Sequence, residues 1–314
     1  MKHSLRVTLL LILFFLLSQI IGLGIISKYI TIEEVEKIDL ITNETYVVNE
    51  TIALDLPHNI ERPQFNTSSE FITYLVIAIL LATILFLFLI KIKTFFLWKL
   101  WFFFAVFLCL TIAFNSFIPK VIATFLGFLL ALWKVIKPNI LVHNLTELFI
   151  YGGLAAILVP IDIVNEYTIL ILLLLISIYD AYSVWKSKHM IKMARFQAKS
   201  KVFAGLLVPY KKETTKKVSQ KGKVKFKGIK TAILGGGDVA FPLLFAGAVM
   251  KSQILTNSFA IAFSKTLIIP LFTSIALLLL FIKGREDRFY PALPFLTAGC
   301  IIGYIVLLLV NVLV

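Results

Sequence analysis

The segment FITYLVIAILLATILFLFLI, residues 71–90, runs for twenty residues without a charged side chain. A membrane-spanning helix needs about 20 apolar residues, because the hydrocarbon core of a bilayer is about 30 Å thick. This segment therefore predicts one complete transmembrane helix. The whole 314-residue chain has the same character, since 60% of it is hydrophobic and its mean hydropathy is +0.96. Soluble domains average roughly 45–50% apolar residues, so an ordinary soluble enzyme and a disordered chain are both excluded.

Eight further apolar segments of similar length lie on either side of residues 71–90. The expected fold class is therefore an all-α membrane protein with nine transmembrane helices. The predicted spans are residues 7–27, 71–90, 95–114, 119–136, 148–164, 167–185, 231–250, 257–282 and 291–314. The chain then divides into residues 1–185 with spans one to six and the outside loop 28–70, a basic cytoplasmic loop at 186–230, and residues 231–314 with spans seven to nine.

The two long loops carry opposite charge. Residues 186–230 contain fifteen Lys or Arg and one acid, whereas residues 28–70 contain nine acids and three bases. Lys and Arg concentrate in the cytoplasmic loops of membrane proteins. This rule predicts a cytoplasmic N-terminus and an outside C-terminus. The same topology accounts for the net charge of +14, so no nucleic-acid partner is expected.

The sequence offers no pattern for a metal site or a disulfide framework. The two cysteines, Cys109 and Cys300, both lie inside apolar runs. The chain has no His-Glu-x-x-His motif and no Gly-x-Ser-x-Gly motif, which disfavours zinc and serine intramembrane proteases. We expect no cofactor.

Two aspartates lie within predicted spans. Asp180 is in span six, and Asp238 follows three glycines in span seven. At 1.5 Å per helical residue, they lie about 9 Å and about 12 Å from the inner boundary. Because the two spans are consecutive and antiparallel, the carboxyls are expected at nearly one depth. Ionisable groups inside a membrane are costly, which makes both functional candidates.

Two neighbouring carboxyls share one proton, because both cannot ionise at short range. One can then act as general base on water while the other protonates a peptide carbonyl, as in aspartic proteases. Intramembrane acids also serve as ion or proton relays. A cation channel or proton-coupled transporter is therefore the alternative, although transporters often contain inverted repeats and no internal repeat is visible.

Glycines and prolines accompany the two aspartates. Residues 235–237 are all glycine, which lets another backbone approach closely and loosens the helix. The segment Pro291-Ala292-Leu293-Pro294 opens span nine. Two prolines three residues apart cannot both be interior to a regular helix, so we expect an extended or loosely wound entry. Ordinary helix packing and an ordinary proline-rich helix start are the simpler explanations.

Three motifs together resemble those of the presenilin and signal peptide peptidase family, which are GxGD-type intramembrane aspartyl proteases. They are Tyr179-Asp180, Gly235-Gly236-Gly237-Asp238 and Pro291-Ala292-Leu293, in that order on spans six, seven and nine. The resemblance implies that Asp180 and Asp238 are the catalytic pair. It also implies that the Pro-Ala-Leu segment shapes the site, and Tyr179 and the glycines are candidates for the same role. The predicted orientation is similar to that of presenilin.

This interpretation predicts an endopeptidase in the cell membrane that cleaves peptide bonds within transmembrane segments of other proteins. Its partners would be substrate helices and the lipid bilayer, and a homo-oligomer stays open. Residues 223–227 alternate charged and apolar side chains, which is the period of a strand. An unwound substrate can pair with such a strand, while a solvated basic loop is the simpler alternative. Residues 186–201 are predicted to form an amphipathic surface helix.

Overall fold

The computed structural model describes residues 5–38, 45–200, 202–211, 229–284 and 290–313. It is mainly helical. The helices are α1 (Leu5–Ile26), α2 (Ser68–Ile92), α3 (Phe95–Asn115), α4 (Lys120–Ile136), α5 (Ile140–Leu158), α6 (Glu166–Trp185), α7 (His189–Ser200), α8 (Gly236–Ile254), α9 (Phe259–Thr266), α10 (Ile268–Lys283) and α11 (Leu293–Leu313). The strands are β1 (Ile30–Ile38), β2 (Thr45–Ala53), β3 (Gly205–Lys211) and β4 (Ile229–Gly235).

Seven helical segments in the described part of the chain are long and apolar enough to cross a membrane. They correspond to α1, α2, α3, α5, α6, α11 and the combined segment Phe259–Lys283. Helices α4 and α8 occupy the other two predicted spans. The expectation of a mainly helical multi-pass membrane protein is therefore confirmed, while the count of nine spans stays a prediction.

Residues 28–70 contain structure that their sequence did not predict. Strands β1 and β2 form an antiparallel hairpin in which Ile30 lies opposite Ala53. The segment that follows α6 contains the predicted amphipathic helix, α7, and a second hairpin formed by β3 and β4. The predicted strand at residues 223–227 lies outside the described residues.

Three predicted spans differ from the observed helices. Helix α5 begins at Ile140 and not at residue 148, because the Asn139 side chain caps it by accepting a hydrogen bond from the Leu141 N–H. The predicted span 231–250 opens as strand β4, and its helix begins only at Gly236. The predicted span 257–282 is broken at Leu267 into α9 and α10. The break lies close to Pro270, which has no N–H to continue the helix.

Helix α5 lies at the centre of the bundle and contacts α1, α3, α4, α8 and β3. Small residues allow this crowding. A Cβ atom at Gly153 would lie 2.0 Å from the Cys109 carbonyl oxygen on α3. A Cβ atom at Gly152 would lie 3.0 Å from the Gly22 Cα atom on α1. Such close backbone approach is how membrane helices gain packing contacts when both sides are equally apolar.

The β3–β4 hairpin lies between α7 and α8 in the chain. Gly205 lies opposite Gly235, and Leu207 lies opposite Ile233. One face of the hairpin is buried in the main core, through Leu206, Val208, Ala232 and Leu234. Since β4 ends at Gly235 and α8 begins at Gly236, the position of the hairpin fixes where α8 starts.

Candidate functional site

Asp180 lies in the last third of α6 and is only 3% exposed. The backbone N–H of Leu293 donates a hydrogen bond to its Oδ2 atom at 3.2 Å. This donor belongs to the start of α11, where the positive end of the helix dipole and the unpaired N–H groups favour an acidic group.

The Pro-Ala-Leu segment forms the entry to α11. Pro291 and Ala292 precede the helix, and the Ala292 carbonyl accepts the first hydrogen bonds, from the Phe295 and Leu296 N–H groups at 3.1 and 3.0 Å. Pro294 lies in the first turn, where a missing N–H costs no helical hydrogen bond. The geometry matches the extended entry that the two prolines predict.

A second polar contact joins α6 and α11, about one turn away from the first contact on each helix. The Ser177 and Thr297 hydroxyls are 2.5 Å apart, and both side chains are buried. Ser177 precedes Asp180 by three residues, and Thr297 follows Leu293 by four. Together the two contacts fix the position of α11 along α6 and the rotation of α11 about its own axis.

Asp238 lies in the first turn of α8 and is partly buried. A Cβ atom built at Gly235 would lie 3.1 Å from Asp238 Oδ2, so the carboxyl folds back over the glycine. The sequence predicted the glycines within a helical turn. They instead form the junction between strand and helix, where Gly235 is the last residue of β4 and the N-cap of α8. Asp238 thus lies at the start of a helix, as the Asp180 carboxyl does at the start of α11.

The other two glycines have different surroundings. A Cβ atom at Gly236 would lie 3.0 Å from the Tyr151 hydroxyl oxygen, which leaves little room for a side chain. Gly237 is exposed, and the nearest atom to its Cβ would be on Phe241 at 3.6 Å, an ordinary contact. Gly236 therefore serves packing against α5, whereas Gly237 leaves open space beside Asp238.

The helices that carry the three motifs pack against one another. Helix α6 contacts α8, and α11 contacts both. The structure brings Asp180 into direct contact with the Pro-Ala-Leu segment. Asp238 lies at the N-terminal end of α8, directly after the hairpin.

The Tyr179 side chain points away from Asp180 and the Pro-Ala-Leu segment. Its hydroxyl is 2.9 Å from Thr83 Oγ1 on α2 and 3.1 Å from His189 Nε2 at the start of α7. The hydrogen bond to Asp180 that its position suggests is not found among the described side chains. Burial and the nearby Lys192 lower the pKa of His189, so a neutral imidazole is favoured in this contact. Tyr179 thus links three helices.

Sequence reasoning missed a buried polar cluster on α4 and α5. It placed His143 in a loop, although this residue lies within α5. Lys134 and Glu147 form an ion pair at 2.6 Å with side chains that are 1% exposed. The sequence signal for this pair was a charged residue, Lys134, inside a predicted span, with the acidic Glu147 thirteen residues later. Both residues lay close to predicted span ends, where charged groups are usually solvated.

Comparisons with known proteins identify the family and the fold. Residues 38–313 match the family model described as signal-peptide peptidase, presenilin aspartyl protease. Two crystal forms of a presenilin family intramembrane aspartate protease, C222 and P2, share the fold with TM-scores of 0.57. They are 16% and 15% identical to the chain; the alignments cover 95% and 96% of this chain, and 97% and 96% of those chains. No curated protein sequence matches the chain.

The family match spans most of the chain and includes all three motifs. The matched solved structures align with nearly the whole chain. A multi-pass membrane fold with two aspartates on adjoining helices is also what intramembrane proteolysis by carboxyl groups requires. The chain therefore belongs to the signal-peptide peptidase and presenilin family of intramembrane aspartyl proteases.

Proposed function

We propose that Asp180 and Asp238 are the catalytic pair and that the enzyme hydrolyses peptide bonds within transmembrane segments of substrate proteins. The observation that carries this proposal is the hydrogen bond from the Leu293 N–H to Asp180, whose helix packs against α8, the helix with Asp238 in its first turn. Each carboxyl lies beside a helix N-terminus. These positions hold an anion without a metal or a cofactor.

The chemistry needs one proton shared between the two carboxyls. The ionised carboxylate removes a proton from water, whose oxygen attacks the carbonyl carbon of the scissile bond. The protonated carboxyl donates its proton to the carbonyl oxygen and so forms a tetrahedral diol. Collapse of the diol breaks the C–N bond. The departing nitrogen takes the proton that the first carboxyl received from water, and the second carboxylate takes a proton from a diol hydroxyl, whose oxygen becomes the carbonyl oxygen of the new carboxylic acid. The pair returns to its starting protonation state.

The substrate must enter in an extended form, since a helix hides its carbonyls in backbone hydrogen bonds. Strand β4 is suited to receive it. The sheet in the described residues has two strands, so one edge of β4 faces no described strand. Addition of an extended segment at that edge places it along the approach to Asp238. Gly237, which is exposed beside Asp238, leaves room for it.

A cleavage assay tests the catalytic pair. Purified protein in lipid vesicles is incubated with a fluorescent single-span peptide, and the products are identified by mass spectrometry. Wild type is expected to cut inside the span, and Asp180→Asn and Asp238→Asn to leave it intact. The matched control is Asp162→Asn, at an exposed aspartate in the turn after α5, which is expected to retain cleavage. Near wild-type turnover by either variant of the pair contradicts the assignment.

The same vesicles test the alternative. Ion flux that is lost in Asp238→Asn, together with intact peptides from a panel of spans, identifies a channel or transporter. Retained flux in that variant, with cleavage lost, supports the protease.

We also propose nine spans with the N-terminus in the cytoplasm. The acidic hairpin β1–β2 would then lie outside, and the basic segment with α7 inside. Labelling with a membrane-impermeant thiol reagent tests this. Asn49→Cys is expected to react from outside intact cells and Lys186→Cys only after lysis, because both positions are exposed whereas Cys109 and Cys300 are buried. The opposite labelling pattern overturns the orientation.

A further inference from the structure

Three side chains of α5 hydrogen bond to the outer edge of β3. The Gly205 N–H donates to Glu147 Oε2 at 3.1 Å, and His143 Nε2 lies 2.7 Å from the Gly205 carbonyl oxygen. Because a carbonyl only accepts, this imidazole nitrogen carries the proton. The Leu207 N–H donates to Asn144 Oδ1 at 3.0 Å, and Asn144 Nδ2 donates to the Leu207 carbonyl at 2.7 Å.

The spacing of both elements makes this match possible. Residues three and four apart lie on one face of a helix, so His143 and Asn144 share a face with Glu147. Backbone groups of alternate residues point to the same side of a strand, so Gly205 and Leu207 present their N–H and C=O groups together. Helix α5 thus occupies, at these two residues, the place that another strand would take.

This contact determines which way the backbone of β4 points. In an antiparallel pair, two opposite residues either bond to each other or both point away. Leu207 uses its groups on Asn144, so Ile233, directly opposite, points its N–H and C=O away from β3. The Ile233 side chain is 42% exposed. Helix α5 therefore occupies the free edge of β3, while the N–H and C=O groups of Ile233 on β4 point outward, away from β3.

The contact between α5 and β3 also affects the position of Asp238. The hairpin ends where the Gly236 N–H donates to the Ala204 carbonyl at 3.1 Å. Asp238 lies two residues after this bond. The Tyr151 hydroxyl, which donates to Glu147, packs against Gly236 from α5. A sliding or tilting of β3 would therefore move the start of α8 and the carboxyl that it carries.

The Glu147 acceptor is itself held in place. Its carboxylate is 1% exposed and pairs with Lys134, whose ammonium also donates to Thr146 Oγ1 at 2.8 Å. Every oxygen of Glu147 thus has a described donor, from Lys134 on one side and from Tyr151 and Gly205 on the other. A fully satisfied buried network rigidifies the groups it contains.

We propose that Asn144 and Glu147 are positioning residues of this protease: they hold the outer edge of β3, set the register of the hairpin against Asp238, and leave β4 as the edge that receives substrate. The inference rests on the proposed function. The two residues act through the hairpin, and the expected consequence of losing them is a misplaced scissile bond.

The first test needs no substitution. Residue-resolved hydrogen exchange of the wild-type protein in lipid vesicles is compared at Leu207 and Ile233, two outward-pointing amides directly opposite each other. The Leu207 amide is expected to exchange at least about tenfold more slowly than that of Ile233, because only it has a partner on α5. Equal exchange at the two positions overturns the proposal.

The second test uses Asn144→Leu, which removes both hydrogen bonds to Leu207. The matched control is Thr146→Val, a buried polar group on the same helix that contacts Lys134 and not β3. Asn144→Leu is expected to accelerate Leu207 exchange, to spread the cleavage over neighbouring bonds, and to lower kcat by about tenfold or more, since a displacement of 1 Å can cost about 100-fold. Thr146→Val is expected to keep the wild-type cut site.

The distribution of products separates positioning from stability. General destabilisation reduces the amount of active enzyme and leaves the cut site unchanged. An Asn144→Leu enzyme that cuts the wild-type bond alone, with unchanged kcat, overturns the proposal. Asn144→Gln keeps both polar groups and is expected to restore part of the single cut. If no peptide is cleaved by wild type, the proposed function fails, while the exchange comparison still decides whether α5 holds β3.

Discussion

The backbone N–H of Leu293 and the Oδ2 atom of Asp180 are 3.2 Å apart, across the contact between α11 and α6. This hydrogen bond shows what the proline-flanked segment contributes, which is a backbone N–H donor to the Asp180 carboxyl. The first N–H groups of a helix have no partner within it. Pro291 and Pro294 place such groups at the start of α11, where the carboxylate uses them.

Replacing Leu293 by proline removes this donor and keeps a residue suited to the first turn of a helix. A hydrogen bond to a charged group is worth about 1.5–3 kcal/mol, so turnover is expected to fall about tenfold to 100-fold. The control is Leu293→Ala, which trims the buried side chain and keeps the N–H. Steady-state cleavage of one peptide measures both. Equal losses in the two variants would show that the side chain matters and the N–H does not.

Gly235→Ala is expected to damage the site through the added methyl group alone. The backbone angles of Gly235, φ −63° and ψ 148°, suit any residue, but the new Cβ would lie 3.1 Å from Asp238 Oδ2. A displaced carboxyl lowers kcat by about tenfold or more, with an unchanged melting temperature. Gly237→Ala, whose Cβ has space, is expected to lose less. Wild-type kcat in Gly235→Ala would show that the carboxyl has another usable position.

Tyr179→Phe distinguishes a structural from a chemical role for this tyrosine. Its hydroxyl contacts Thr83 and His189, so its loss is expected to cost about 1 kcal/mol of folding free energy and to leave kcat nearly unchanged. Thr83→Val removes one of the same contacts and should behave alike. Thermal unfolding and cleavage kinetics are measured together. A large loss of kcat confined to Tyr179→Phe would assign the hydroxyl to the reaction.

Lys134→Met leaves the Glu147 carboxylate buried without its cation. Breaking a buried pair on one side costs about 3–5 kcal/mol, so a marked drop in melting temperature is expected. Adding Glu147→Gln removes the unpaired charge and keeps an amide oxygen to accept from the Gly205 N–H. The double variant should recover most of the lost stability. Additive destabilisation by the two changes would argue against an ion pair in the folded protein.

The sequence predicts a membrane protein and its three motifs because both depend on local signals. Residues 71–90 contain no charged side chain, and Asp180 is conspicuous because it lies inside another predicted span, residues 167–185. The catalytic role of the two aspartates stays a prediction, although the contact of Asp180 with Leu293 brings two of the motifs together. Composition was sufficient for the membrane class, whereas the motifs were found through their resemblance to a family.

The β3–β4 hairpin and its supports depend on contacts that no local pattern encodes. Ile229–Gly235 is an apolar strand next to an apolar helix, so hydropathy merged the two into one span. Asn144 and Glu147 appear as loop residues in the sequence because polar groups near a span end are normally solvated. Only the fold reveals that both residues face the edge of a strand. The direction of the Tyr179 side chain was likewise set by its neighbours on α2 and α7.

A sheet with two open edges can recruit strands in both directions, which is how exposed edges promote aggregation. The hairpin next to Asp238 has α5 on one side, so growth in that direction stops at Gly205 and Leu207. Under the proposed function the enzyme binds unwound apolar segments, the kind of polypeptide that aggregates most readily. A single receiving edge then holds one such segment at a time, so the proposal implies that any two substrates compete for it.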